Sequence, residues 1–145
     1  MIFKLSLFTC LIAGALAAQS AADLQVLPVR PASAANGAIY MISGDGGNIT
    51  VQVGSQGVLM VDTGLAPLAP KVMAEIRKLS KGPVHYIINT HVHPDHVGGN
   101  EAFSKLIPPN RAQPLLIIAQ ENVLNRMTTP VTGSTTPLPD RPSQR

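Results

Sequence analysis

The hydrophobic period of this chain first changes near residue 65, and that change limits the fold to a sheet joined to helices. From Gly37 to Gly64, short apolar runs are separated by glycine-rich turns. AIYMI (38–42), NITVQV (48–53) and VLMV (58–61) read as strands, linked by Ser43-Gly44-Asp45-Gly46-Gly47 and by Gly54-Ser55-Gln56-Gly57. Alternation of Ile49, Val51 and Val53 turns one face inward, and connections this tight predict an antiparallel meander. Beyond the change, Leu68, Val72, Ile76 and Leu79 recur at helical spacing, with Lys71, Glu75 and Lys78 on the other face. Pro67 or Pro70 fits the first helical turn, and Gly82-Pro83 ends the helix. VHYIINT (84–90) and LLIIA (115–119) read as strands; their continuous apolar character predicts burial on both faces. Gly98 and Gly99 open a short helical stretch through Ala102 and Phe103, and ENVLNRM (121–127) reads as another short helix. The order β-β-β-α-β-α-β-α is that of an α/β (α+β) chain: one sheet layer with helices on one side, or half of a larger arrangement.

Composition and the two ends set further expectations. Lys4 precedes an apolar run to about Ala18 that ends in the small-residue pattern Ala15-Leu16-Ala17. This is the layout of a signal peptide over residues 1–18, too short for a comfortable membrane span, and it predicts a periplasmic or secreted protein without a stable membrane anchor. Cys10 lies inside the run, with no small residues ahead of it to make a lipid-anchor site. Cleavage would remove this single cysteine, so neither a disulfide nor a thiolate ligand is expected. Residues 128–145, rich in proline, threonine and serine, cannot build a core and read as a disordered tail. A domain is expected over 36–127. The net charge is +3, with no basic stripe and with Phe103 the only phenylalanine beyond the leader; nucleic-acid binding is not indicated.

The chemistry concentrates in NTHVHPDHVGGN (89–100), directly after the second apolar strand. If the strand continues, His91 and His93 point to the same face and can grip one ion together. Pro94 bends the chain, so Asp95 and His96 can turn back towards the same cavity. Histidine and carboxylate donors without thiolate suit zinc, and also iron or manganese. The glycines let the backbone pass close to a metal or substrate. His85 would lie roughly 20 Å from His91 along a regular strand, and reads as structural or exposed.

HVHPDH at 91–96 resembles the H-x-H-x-D-H signature of the metallo-β-lactamase superfamily. GNITVQVGSQGVLMVDTG (47–64) is similar to that family's opening hairpin and its aspartate-bearing turn, and the flanking N-T-H and G-G-N agree. The resemblance covers about 36–127 and implies the N-terminal half of an αββα sandwich. It implies that His91 and His93 bind a first zinc ion and Asp95 and His96 a second, with Asp95 also a candidate proton shuttle. Asp62 would orient a ligand without binding the metal itself. The implied reaction is hydrolysis of a small-molecule ester, amide, thioester or phosphoester by metal-activated water.

The family's full centre needs a further histidine, a bridging aspartate and a final histidine, whereas the four histidines here are 85, 91, 93 and 96. Glu101, Glu121 and Asp140 are the only later carboxylates. The expectation is therefore a secreted metal-dependent hydrolase represented by a truncated chain, inactive or weakly active alone. The alternative is a non-catalytic secreted domain that binds a metal or a partner. A remote alternative is an aspartic protease through Asp62-Thr63-Gly64, a reading that needs a β-flap where this sequence predicts a helix. Oligomeric state is not readable.

Overall fold

A computed structural model of the chain describes residues 23–31, 37–107 and 114–128. The expected leader and all of the expected tail except Thr128 lie outside these residues. The described strands form one sheet in the order β1 (Gln25–Arg30), β2 (Ala38–Ser43), β3 (Ile49–Gly54), β4 (Gly57–Val61), β5 (Val84–Asn89) and β6 (Leu116–Ala119). β1 to β4 pair antiparallel, whereas β5 pairs parallel with both β4 and β6. The short turns read from the sequence permit the antiparallel pairs. The β4–β5 connection carries a helix, which is what a parallel pair requires.

A single 3-10 turn at Ala66–Leu68, containing Pro67, leads into α1 (Ala69–Leu79), which has Pro70 in its first turn. Val72, Met73 and Ile76 of α1 are buried, each side chain contributing about 1.5–3 kcal/mol of hydrophobic stabilisation. They meet Ile42, Ile49, Val51, Val58 and Met60 from the sheet, and Phe103 and Ile107 from the α3 segment (α3, Asn100–Leu106). A one-turn helix, α2 (Pro94–Val97), precedes α3, and α4 (Glu121–Thr128) follows β6.

Three features depart from the sequence reading. β1 lies ahead of residue 36 and was not anticipated: it contains Pro28, leaves Leu27 and Val29 exposed, and shifts register between Pro28 and Arg30. Proline is tolerated there because β1 is an edge strand. Second, β5 carries an extra residue. Val58 faces Val84 but Leu59 faces Tyr86, so His85 bulges out of the pairing and reverses the alternation that follows.

Third, β5 is buried on one face only, and no residue of β6 is fully buried. Tyr86, Leu116 and Ile118 are 41%, 37% and 47% exposed. Leu27, Met41, Thr50, Val61, Ile88 and Ile118 stand in register across all six strands, and none of them is buried. The core, with α1 and α3, lies against the opposite face. Both apolar runs form strands, each one residue shorter than expected, but among the described residues only one layer of helix covers the sheet.

Candidate metal centre

Because β4 and β5 are parallel, their C-terminal ends deliver two segments to the same place. Asp62-Thr63-Gly64 leaves β4, and Thr90 to Gly99 leaves β5. Asp62 turns at φ 64, in the left-handed region, a conformation that costs a non-glycine residue about 1 kcal/mol. Its bonds offset that cost. The Asp62 N–H donates to Ile88 O at 2.8 Å. The carboxylate accepts from the Thr90 N–H at Oδ1 (2.8 Å), and from the Thr90 hydroxyl and His96 Nδ1 at Oδ2 (both 2.7 Å). The next residue continues the grip, with the Thr63 N–H on His96 O at 2.8 Å. Gly99 N–H then donates to Gly64 O at 2.9 Å.

Beneath this lies a polar cluster sealed from solvent. Asn100 Nδ2 donates to Asn89 Oδ1 at 2.8 Å and Asn89 Nδ2 donates back to Asn100 Oδ1 at 3.2 Å. The Thr63 hydroxyl lies 3.1 Å from Asn100 Oδ1 and 3.0 Å from His96 O, either of which can take its one proton. Thr63, Asn89 and Asn100 are all at most 3% exposed. Buried polar atoms are tolerated when paired in this way.

The hydrogen bonds also settle which ring nitrogens carry protons. Asp62 Oδ2 can only accept, so His96 Nδ1 is the donor. The Thr90 hydroxyl gives its proton to the same oxygen, so at its 3.0 Å contact with His91 Nδ1 it accepts. Both rings therefore carry hydrogen on Nδ1, and in their neutral forms both present Nε2 as a lone pair. One carboxylate sets two tautomers, the second through Thr90.

The four residues of the histidine motif come together. The His91 ring centroid is 3.9 Å from that of His96 and 4.8 Å from that of His93, and Asp95 Oδ2 is 3.5 Å from His96 Nε2. The route differs from the sequence reading, because β5 stops at Asn89. His91 and His93 lie in the following loop, His93 at the N-cap of α2, so a bend and not strand alternation brings them close. Pro94 starts α2 and carries Asp95 and His96 back over the β4 end. As placed, the rings contact one another, and among the described residues no three His, Cys, Asp or Glu side chains are arranged to hold one ion together. The donor chemistry nevertheless fits a divalent cation: two imidazoles with free Nε2 atoms, a third exposed imidazole and a half-buried carboxylate, with no lysine or arginine in these contacts.

Asp62 is hydrogen-bonded directly to His96 and, through Thr90, to His91. Its carboxylate is buried and fully engaged, and a helix follows it, so nothing here resembles a paired catalytic aspartate. Thr63, Asn89, Thr90 and Asn100 were quoted only as parts of the two motifs and were given no role of their own. Their one available signal was that position. His85 takes no part. A cavity of about 420 Å³ lined by Gln52, Ser55, Gln56, Leu59, His85 and Tyr86 lies at the opposite end of the sheet.

The sequence profile of the metallo-beta-lactamase superfamily matches residues 42–116. Over 75 residues the chain is 39% identical to a linear primary-alkylsulfatase of Pseudomonas sp., a match covering 51% of this chain and 14% of that protein. Among solved structures, metallo-beta-lactamase SMB-1 bound to 2-mercaptoethanesulfonate aligns with a TM-score of 0.62 at 23% identity, covering 83% of this chain and 46% of that one. A HARLDQ-motif mutant of a metallo-beta-lactamase from Cronobacter sakazakii aligns at 0.57 and 21%, covering 72% and 38%. BJP-1, a subclass B3 metallo-beta-lactamase of Bradyrhizobium japonicum, aligns at 0.51 and 27%, covering 61% and 32%. The chain thus spans less than half the length of each of these proteins. With the profile covering more than half of it and the fold aligning with these structures, the chain belongs to the metallo-beta-lactamase superfamily, and its sheet and helices form the N-terminal half of that fold.

Proposed function

We propose that this chain carries the first half of the active site of a metal-dependent hydrolase, with His91, His93, Asp95 and His96 as metal ligands. The observation that supports this most is the pair of Nδ1-protonated rings, His91 and His96, tied directly and through Thr90 to the single carboxylate of Asp62. A turn that was merely rich in histidine would have no reason to fix both tautomers so that Nε2 is free. Zinc is the cation this donor set suits best, and iron or manganese are compatible with it. A divalent ion there supplies Lewis-acid activation of water and of the scissile group. The chain's own part is to hold the ligands: Asp62 fixes two rings, Thr63 fixes the His96 carbonyl, and Asp95 presents an accessible carboxylate for proton transfer.

The substrate class to test first is an alkyl sulfate ester. Sequence identity is 39% to the alkylsulfatase, against 21–27% for the β-lactamases, whose similarity speaks to fold. We further propose export to the periplasm or medium through the leader at 1–18. A second reading, a non-catalytic metal-binding domain, is favoured by the absence of a three-ligand group among the described residues.

Metal content of the purified polypeptide tests the proposal. The expected result is no more than one zinc ion per chain, weakly held and held more weakly still in His91→Ala and His96→Ala. No zinc above background at millimolar concentration would remove the site, and two tightly held ions would show that this chain alone completes the centre.

A further inference from the structure

The turn between β2 and β3 reaches over the histidine loop. Gly47 N–H donates to Asp95 O at 3.3 Å. A Cβ built on Gly47 would lie 2.7 Å from His96 Nε2, 2.7 Å from Cε1 and 2.9 Å from Asp95 O. At Gly46 a Cβ would lie 3.1 Å from the Cβ of Asp95. The two glycines have different reasons to be glycine. Gly46 turns at φ 89, where side chains are strained, but Gly47 is not among the residues with positive φ. The backbone at 47 accepts any residue; the space beside His96 does not.

The imidazole of His96 is thus fixed on one edge, while on the other its Nε2 faces Asp95 Oδ2 at 3.5 Å, itself a proposed ligand of the same centre. Asp62 Oδ2 holds Nδ1 at 2.7 Å, so the ring cannot swing away without losing that bond. A methyl group at 47 would sit against the Nε2 edge, closer than van der Waals contact permits.

We infer that Gly47 is a positioning residue of the metal centre: by lacking a side chain it keeps Nε2 of His96 open to an ion. The β2–β3 turn is then a wall of the site. This inference rests on the assignment of residues 91–96 as metal ligands.

The test is Gly47→Ala, with Gly54→Ala as control, because a Cβ at Gly54 meets nothing within 4 Å. Zinc affinity is measured by competition with a chromophoric chelator, and Co²⁺ ligation by its visible absorption. Expected results are at least a tenfold loss of zinc affinity and an altered Co²⁺ spectrum in Gly47→Ala, with wild-type behaviour in Gly54→Ala. The double variant Gly47→Ala/His96→Ala should bind no more weakly than His96→Ala alone. Gly47→Ala binding within twofold of wild type, or an additive double variant, would overturn the inference and leave the site assignment intact. Failure of the wild-type chain to bind any zinc would remove the assignment itself. A measurement on the wild-type protein stands even if the variant does not fold: imidazole ¹⁵N spectra during zinc titration. The His96 Nε2 resonance should move while Nδ1 keeps its proton; ligation through Nδ1 would refute the role of Gly47.

Discussion

Replacing Asn100 by alanine should cost far more than the side chain's size suggests, and a second substitution at Asn89 should add almost nothing to the loss. Asn100 is 2% exposed and shares two amide hydrogen bonds with Asn89, itself 3% exposed. Asn100→Ala leaves both polar atoms of the Asn89 carboxamide buried without those partners. Each stranded group costs about 1–3 kcal/mol, so about 3 kcal/mol is expected for the pair. Asn89→Ala is milder, about 2 kcal/mol on the same scale, because Asn100 Oδ1 retains the Thr63 hydroxyl. In the double variant no amide is stranded, and Thr63 retains His96 O. The double variant should therefore cost about as much as Asn100→Ala alone, a coupling of roughly 2 kcal/mol in a double-mutant cycle. The sequence contains no tryptophan, so urea unfolding is followed by far-UV circular dichroism. At a slope of about 2 kcal/mol/M, Asn100→Ala moves the midpoint down by about 1.5 M. Additivity of the single variants within about 0.5 kcal/mol would refute the claim that these two amides form one sealed unit.

Two further comparisons test the backbone. Asp62→Ala and Asp62→Gly both remove the carboxylate, but at φ 64 glycine is the unstrained residue; the glycine variant should be the more stable by about 1 kcal/mol, and equal urea midpoints would contradict the strain. At Gly57, φ is 121 and an added Cβ would lie 2.5 Å from Pro83 O, whereas at Gly54 it meets nothing within 4 Å. Gly57→Ala should lose at least about 2 kcal/mol and Gly54→Ala should stay within about 0.5 kcal/mol of wild type, both checked by the same unfolding curves.

What could be read from the sequence was what depends on neighbours in the chain. Glycine-punctuated runs gave β2, β3 and β4, the Leu68–Leu79 spacing gave α1, and the HVHPDH spacing marked four residues that the structure brings together. What could not be read depends on partners far along the chain. β1 exists because β2 pairs with it, and its own residues, with Pro28 inside and Val29 65% exposed, carry little strand signal. The bulge at His85 is defined by the register against β4, which no pattern within VHYIIN contains. β5 ends one residue earlier than expected because the Thr90 N–H goes to Asp62 Oδ1. Thr63 and Asn100 look like turn residues and Asn89 like the polar end of a strand, and only folding shows them sealed together. The apolar content of β5 and β6 predicted two covered faces, but sequence patterning cannot say which layer supplies the cover.

The contacts that build the histidine site have a kinetic meaning. The bonds from Asp62 to Thr90 and His96 join residues 28 and 34 positions apart, and those from Thr63 to Asn100 join residues 37 apart. None can form inside the β2–β3 or β3–β4 hairpin, whose closures are short and fast. Every one needs the long loop between β4 and β5 to close, which is the slow kind of step in a parallel pairing. If residues 91–96 bind an ion as proposed, metal affinity should appear during refolding only once that closure is complete, and so report the moment the parallel pair locks.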